Sequence, residues 1–452
     1  MSNAFVSDLL ASITERGRAL LRLPPAPVDP DKRAADLIDL SEKLLTGHGE
    51  ASGTATARTV LDRYQALDTD GRITFFDALA RDFGPDAERL ALAIAGWQTA
   101  PDDDAGELHL ASEPRRQDLF RRLNRAPGGT AALVAMRADL LDLIPTHHHL
   151  AAVDRDLVHL FGSWFNRGFL VLRRIDWATP ANILEKVIRY EAVHQIHDWN
   201  DLRRRIDPVD RRCYAFFHPA LTDEPLIFVE VALTEGIPSA IAPLLAEDRE
   251  PVAVARARTA VFYSISNCQR GLARISFGNF LIKQVVEELR RELPRLDTFV
   301  TLSPVPGFMA WLARERDTVV SDEDRPLLAV LDDPGWPDDA ERAGALRALL
   351  EPLAAHYFLK ARTPRGLPVD PVARFHLGNG ARLERIGWLG DRSPKGLRES
   401  AGIMVNYLYD LDDIEKNHEA YANQGEVAAS NGVRKLLKGE ARSVLASIGI
   451  GG

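Results

Sequence analysis

Over the first 170 residues, apolar positions recur at steps of three and four. Leu9, Leu10, Ile13, Leu20 and Leu21 make one such set. Leu37, Ile38, Leu40, Leu44 and Leu45 make a second, and Leu133, Met136, Leu140, Leu141 and Leu143 a third. A 3.6-residue repeat puts each set on one helical face, so this stretch predicts a bundle of short amphipathic helices. Pro24-Pro25-Ala26-Pro27, Pro101-Asp102-Asp103-Asp104 and Pro127-Gly128-Gly129 punctuate it. No fixed period recurs, which argues against a solenoid. From about residue 210 the pattern changes. Residues 213–217, 226–233, 259–265 and 296–302 are short apolar runs rich in aromatic and β-branched side chains, which predicts strands. Between the last two, Phe280, Leu281, Ile282, Val285, Val286 and Leu289 return to helical spacing. The expected class is therefore α+β: an all-helical domain over 1–170 and a mixed α/β domain over 171–452. Two acidic, proline-bearing stretches, 322–339 and 363–371, are expected to be surface connections.

Composition narrows the functions open to such a chain. Its 452 residues carry 56 Lys and Arg against 65 Asp and Glu, a net charge of −9, which argues against a nucleic-acid or membrane-surface binder. The two cysteines, Cys213 and Cys268, are too few for a disulfide scaffold or a four-thiolate zinc site. Asp8, Glu15, Arg16 and Arg18 interrupt the opening apolar positions, so no signal peptide is read there. No apolar run approaches the roughly 18 residues of a membrane span. The expected compartment is the cytoplasm.

Several segments carry candidate chemistry. Residues 269–279 join the third predicted strand to the helix that follows. A helix N-terminus presents unpaired N–H groups suited to a pyrophosphate, Gly271 and Gly278 permit close approach, and Arg270 and Arg274 add charge. A plain strand-to-helix connection explains the same residues, and neither a Walker A nor a dinucleotide fingerprint is present. Ser303 stands just past a strand, before Pro304 and Pro306, which restrain the chain and oppose a regular ladder there. A turn or capping role is the ordinary use of such a serine. His376 sits beside Asn379-Gly380, suited either to proton transfer near neutral pH or to capping that turn. Tyr407 and Tyr409 end an apolar run, as core residues do. The runs His147-His148-His149 and Glu191, His194, His197 suggest metal ligands, the latter on one helical face. A polar helix face at a domain seam accounts for them without metal. Arg203-Arg204-Arg205 reads first as a solvated or partner-facing basic patch, then as an anion site.

Taken in order, these segments resemble the malonyl-CoA decarboxylases. The resemblance rests on Arg189-Tyr190-Glu191-Ala192-Val193-His194, 199–205, Arg211-Arg212-Cys213-Tyr214, Glu224-Pro225-Leu226 and Val231-Ala232-Leu233-Thr234. It continues through Tyr263-Ser264-Ile265-Ser266, 278–284, 301–308, 375–381, Ser393-Pro394-Lys395-Gly396-Leu397 and 406–409. It implies a helical N-terminal domain used for self-association, as a dimer or tetramer, and a catalytic domain similar to the GNAT acetyltransferase fold. The implied reaction belongs to fatty acid metabolism: malonyl-CoA to acetyl-CoA and carbon dioxide. The family's catalytic serine falls on Ser303, its histidine on His376, and further active-site positions on Ser264 and Tyr409. The CoA-binding residues it implies are Gln269, Arg270, Gly271, Ala273, Arg274, Ile275, Ser276, Phe277, Gly278, Asn279 and Ile282. Ser276 stands where some members have glutamate, which shifts weight onto Ser303 and His376.

Such a decarboxylation leaves an electron pair that the thioester carbonyl absorbs as an enolate, so neither a metal nor an organic cofactor is expected. The site needs donors at the thioester oxygen, a dry apolar place for the departing carboxylate and one proton for the carbanion. The rival readings are an acyl-CoA-dependent acetyltransferase and a non-catalytic CoA-binding or self-associating scaffold. Both leave the Ser303 and His376 segments without a role.

Overall fold

The protein is described by a computed structural model over residues 30–437, apart from His48, 100–104 and 276–280. The helical set from Leu9 to Leu21 and the positions Ser276, Phe277, Gly278 and Asn279 lie outside the described residues. The chain divides into two compact units.

The first unit runs to Leu170 and also takes in 218–222 and 269–275. Its helices are α1 (Pro30–Thr46), α2 (Glu50–Gln65), α3 (Thr69–Arg81), α4 (Ala87–Thr99), α5 (Ala105–Ser112), α6 (Arg115–Asn124), α7 (Gly129–Leu143) and α8 (Ala151–Trp164). The periodic positions point inward as expected: Leu37, Leu40 and Leu44 of α1 and Leu133, Met136 and Leu140 of α7 are buried. They share the core with Phe75, Phe76, Phe120 and Phe161. Side-chain caps mark some boundaries, as where Asp68 accepts from the Gly71 N–H at the start of α3. The helix α4 departs from the pattern, because none of its residues is buried.

The second unit is built on an eight-stranded sheet. Its strands are β1 (Val171–Ile175), β2 (Arg211–Phe217), β3 (Pro225–Thr234), β4 (Thr259–Asn267), β5 (Thr298–Thr301), β6 (Ser303–Pro304), β7 (Arg382–Gly387) and β8 (Met404–Leu408). The order is β1-β2-β3-β4-β5-β8-β6, with β7 also paired to β8. The first four strands form an antiparallel meander, and β5 lies parallel to β4. Parallel neighbours need a crossover, which the helix Leu281–Glu292 provides. Strands β2 and β3 are buried almost end to end, which is why they read as continuous apolar runs. A bulge interrupts the pairing of β3 with β4. Glu230 faces Ser264 and Val231 faces Phe262, so Tyr263 is the extra residue.

The helices of this unit are α9 (Ala181–Tyr190), α10 (Trp199–Ile206), α11 (Ala242–Leu245), α12 (Leu281–Glu292), α13 (Phe308–Val319), α14 (Ala340–Leu359), α15 (Pro371–Gly378), α16 (Pro394–Ser400) and α17 (Ile414–Gln424). Three sequence expectations change here. The prolines after Ser303 do not abolish pairing: Ser303 and Pro304 form a two-residue ladder with Val405 and Met404 of β8. An edge position leaves the missing proline N–H harmless. His376 belongs to the last turn of α15, and Asn379-Gly380 ends that helix. Glu191, His194 and His197 share no helical face, because α9 stops at Tyr190 and Glu191 is already extended. Among the described residues no three His, Cys, Asp or Glu side chains are grouped as metal ligands, and no helix is long and apolar enough to cross a membrane.

Candidate active site

Ser303 and His376 are 73 residues apart in sequence and meet in the second unit. Ser303 is fixed by its short ladder with β8. His376 is fixed by α15, whose N-cap Asp370 accepts from the Ala373 N–H at 2.7 Å while Pro371 takes the first helical position. Gly380 stops the helix at φ 81°, and a side chain there would meet the Ile414 carbonyl oxygen at 2.1 Å. Only glycine fits that turn. The result places Ser303 Oγ 3.2 Å from His376 Nε2.

The histidine is held on its other side too. Its Nδ1 lies 2.7 Å from the Tyr409 hydroxyl, and its ring stacks on Tyr407 at 4.5 Å between centroids. Ser303 Oγ–H donates to Thr301 Oγ1 at 2.9 Å. All five side chains are buried. Burial lowers the His376 pKa to about 3, so its imidazole is neutral near pH 7. Burial likewise raises the Tyr409 phenol well above its ordinary value. The pair opens on a cavity of about 230 Å³, walled chiefly by Val193, Phe262, Ile265, Leu302, Val372 and Phe375.

Ser264 is not hydrogen-bonded to this pair. Its hydroxyl reaches both oxygens of Glu191, at 2.9 and 2.7 Å, and Ser266 joins at 3.3 Å. Glu191 also accepts from the N–H groups of Val193 and His194, pinning the segment after α9 against β4. What looked like a metal-ligand run is thus a carboxylate clasp for a loop that supplies Val193 to the cavity wall. Arg205, expected on a solvated patch, is buried. It donates to the His194 and Gln195 carbonyls at 2.7 and 3.0 Å and lies 3.3 Å from Glu230 Oε2. Burial and the neighbouring Glu191 push the Glu230 carboxyl up to about 8. Arg203 and Arg204 pair with Asp207 and Glu247.

The expected CoA segment splits. Gln269, Arg270, Gly271, Ala273, Arg274 and Ile275 fall in the first unit and Ile282 in the second. A side chain at residue 271 would meet the Val134 carbonyl oxygen of α7 at 1.8 Å, so helix packing already demands that glycine. The fully buried Arg137 donates to the Gly271 and Ala273 carbonyls at 2.6 and 2.9 Å. Arg270, expected to meet a phosphate, pairs with Asp142 at 2.5 Å. Arg274 adopts a left-handed φ of 66°. Ile282 is buried on α12.

Sequence reasoning missed Thr301, Glu191 as a clasp, and Arg205 with Glu230. Thr301 had one local signal, its i, i+2 spacing from Ser303 on an extended chain. The others depend on contacts between strands and loops far apart in sequence.

Comparison with known proteins gives a consistent picture. Residues 168–447 match the family model for the malonyl-CoA decarboxylase C-terminal domain and 83–165 that for the malonyl-CoA decarboxylase N-terminal domain. A mitochondrial malonyl-CoA decarboxylase of Anser anser anser is 37% identical over 412 residues, 83% of this chain and 81% of that protein. A crystal structure of malonyl-CoA decarboxylase from Rhodopseudomonas palustris superposes with a TM-score of 0.87 at 62% identity, covering 90% of this chain and 100% of that one. The Agrobacterium vitis structure gives a TM-score of 0.85 at 58% identity, covering 89% and 99%.

Proposed function

The chain belongs to the malonyl-CoA decarboxylase family and is a carboxy-lyase, and from that premise we propose that Ser303, His376 and Tyr409 carry its reaction. Family membership displaces the acetyltransferase and scaffold readings. The observation that carries the proposal is the buried hydrogen-bond chain from Tyr409 through His376 to Ser303, opening on a mostly apolar cavity.

The malonyl carboxylate enters that cavity, where apolar walls disfavour its charge and favour loss of neutral carbon dioxide. As the bond between carboxylate and α-carbon breaks, its electron pair moves into the thioester carbonyl and gives an enolate. A neutral imidazole donor beside Ser303 stabilises that charge and relays one proton to the α-carbon. The chain regains the proton from water as acetyl-CoA leaves, and the thioester itself is the electron sink. Ser264 acts through Glu191, holding the wall that includes Val193. The CoA pyrophosphate is assigned to segment 269–282 by family resemblance, although Gly271 and Arg270 already have structural partners.

Two further parts of the reading are proposals. The cytoplasm is its compartment, in keeping with two buried, unpaired cysteines. Self-association, as a dimer or tetramer, runs through the helical domain. The helix α4 and its neighbour α5 support this by exposing Leu92, Ile94, Trp97 and Leu110.

The test follows acetyl-CoA and carbon dioxide released from malonyl-CoA by wild type, Ser303→Ala and Tyr409→Phe. General acid catalysis being worth about 10²–10⁴-fold, Ser303→Ala should lose at least about 100-fold in kcat. Equal turnover in all three proteins would contradict the assignment.

A further inference from the structure

Ser303 has one proton and two neighbours able to receive it. Thr301 Oγ1 is 2.9 Å away and His376 Nε2 is 3.2 Å away. Thr301 is fully buried at the end of β5, where a β-branched side chain has little rotamer freedom. It is held further by β8: the Tyr407 N–H donates to its Oγ1 at 3.0 Å, and Asn406 Nδ2 donates to its carbonyl at 2.7 Å. The Ser303 proton points to Thr301, so the lone pairs of Ser303 are what face the histidine.

We infer that Thr301 sets the tautomer of His376: by taking the proton of Ser303, it obliges Ser303 to accept a hydrogen bond from Nε2–H. A neutral imidazole carries one N–H, so Nδ1 is then an acceptor. Tyr409, 2.7 Å from Nδ1, supplies the matching O–H. Every member thus donates in one direction, from Tyr409 to His376 to Ser303 to Thr301. The functional consequence is specific. An Nε2 that already bears a proton cannot take one from Ser303, so the serine is not activated as a nucleophile against the thioester. The transferable proton is then the one on Nε2: it replaces the Ser303 proton when that O–H turns from Thr301 to the enolate and is given up to it. Thr301 touches no substrate in this scheme. It is a positioning residue, and its role rests on the reading of Ser303 and His376 as the reacting pair.

The test combines spectroscopy with kinetics on the full-length enzyme. Protein labelled with ¹⁵N-histidine gives long-range ¹H–¹⁵N correlations that separate the two tautomers, and loss of a signal in His376→Asn identifies that residue among the 12 histidines. Wild type should show the Nε2–H form. Thr301→Val, which leaves Ser303 only the imidazole as acceptor, should shift His376 toward Nδ1–H. Its kcat should fall about 10- to 100-fold, within the worth of a positioned acid, with the KM for malonyl-CoA nearly unchanged. Thr301→Ser, which restores the oxygen, should return both properties. An Nδ1–H tautomer in wild type overturns the inference without any variant having to fold. So does a Thr301→Val enzyme with wild-type tautomer and turnover. If Ser303→Ala is also fully active, the underlying pair is wrong. If Ser303→Ala is dead while Thr301→Val is normal, only the role of Thr301 falls.

Discussion

His376 illustrates how burial decides a side chain's chemistry. Its pKa of about 3, set by desolvation, means that no histidine limb near pH 6.5 is expected in kcat from this residue. The same shift has a stability consequence. Between about pH 6.5 and 3 the unfolded chain binds a proton at this site that the folded chain does not, so the buried ring's contribution is present above pH 6.5 and is lost as pH falls. From pH 7.5 to pH 5, wild type should lose about 2 kcal/mol more stability than His376→Asn, which has no such proton to bind. Denaturant melts of the two proteins at both pH values measure this, and parallel losses would show that the imidazole is not held neutral. At this scale the sequence singles out Ser303, His376 and Tyr409 by the order of their motifs, and the fold brings the three side chains into one hydrogen-bond chain. It was uninformative about Arg205 and Glu191. A run of three arginines reads the same whether its last member is solvated or buried against Glu230, and only the fold brings Glu230 to it.

Among the elements, legibility followed burial. Strands β2, β3 and β4 are buried on both faces and were evident as apolar runs to within two residues at each end. Strand β1 was not, since Val171, Arg173 and Arg174 are exposed along an edge. Strand β7 mixes Arg382, Glu384 and Arg385 with its apolar positions, and β6 is two residues long. The segment 269–279 reads as a ligand loop from its glycines and arginines, and its described part, 269–275, also packs against α7 in the helical unit. Gly271→Ala should therefore destabilise the protein by about 1–3 kcal/mol through overpacking against the Val134 carbonyl. Gly344 on α14 has nothing within 4 Å of where a methyl group would stand, so Gly344→Ala should instead stabilise by about 0.4–1 kcal/mol. Thermal melts of the two variants should move in opposite directions. A Gly271→Ala protein as stable as wild type would mean that the segment is free to serve a ligand alone.

At the scale of the whole molecule, the two-part organisation was visible in the change from helical to strand spacing, but the later segments that join the first unit were not. Nothing local marks 218–222 or 269–275 as belonging with helices far earlier in the chain. Assembly is where the exposed face of α4 matters. Leu92 is 75% exposed and Trp97 41%, on a helix that buries nothing in its own unit. Leu92→Glu with Trp97→Glu should lower the mass measured by light scattering while leaving the fold intact, since neither side chain is part of the core. An unchanged mass would contradict the proposal that the chain self-associates through this face.

The most direct measurement is the turnover of His376→Asn at saturating malonyl-CoA, with CoA affinity determined on the same preparation. If the buried histidine donates to the enolate, kcat falls by at least about 100-fold while CoA binds as in wild type. Near-normal turnover in a folded His376→Asn enzyme would contradict the assignment of Ser303 and His376 as the reacting pair.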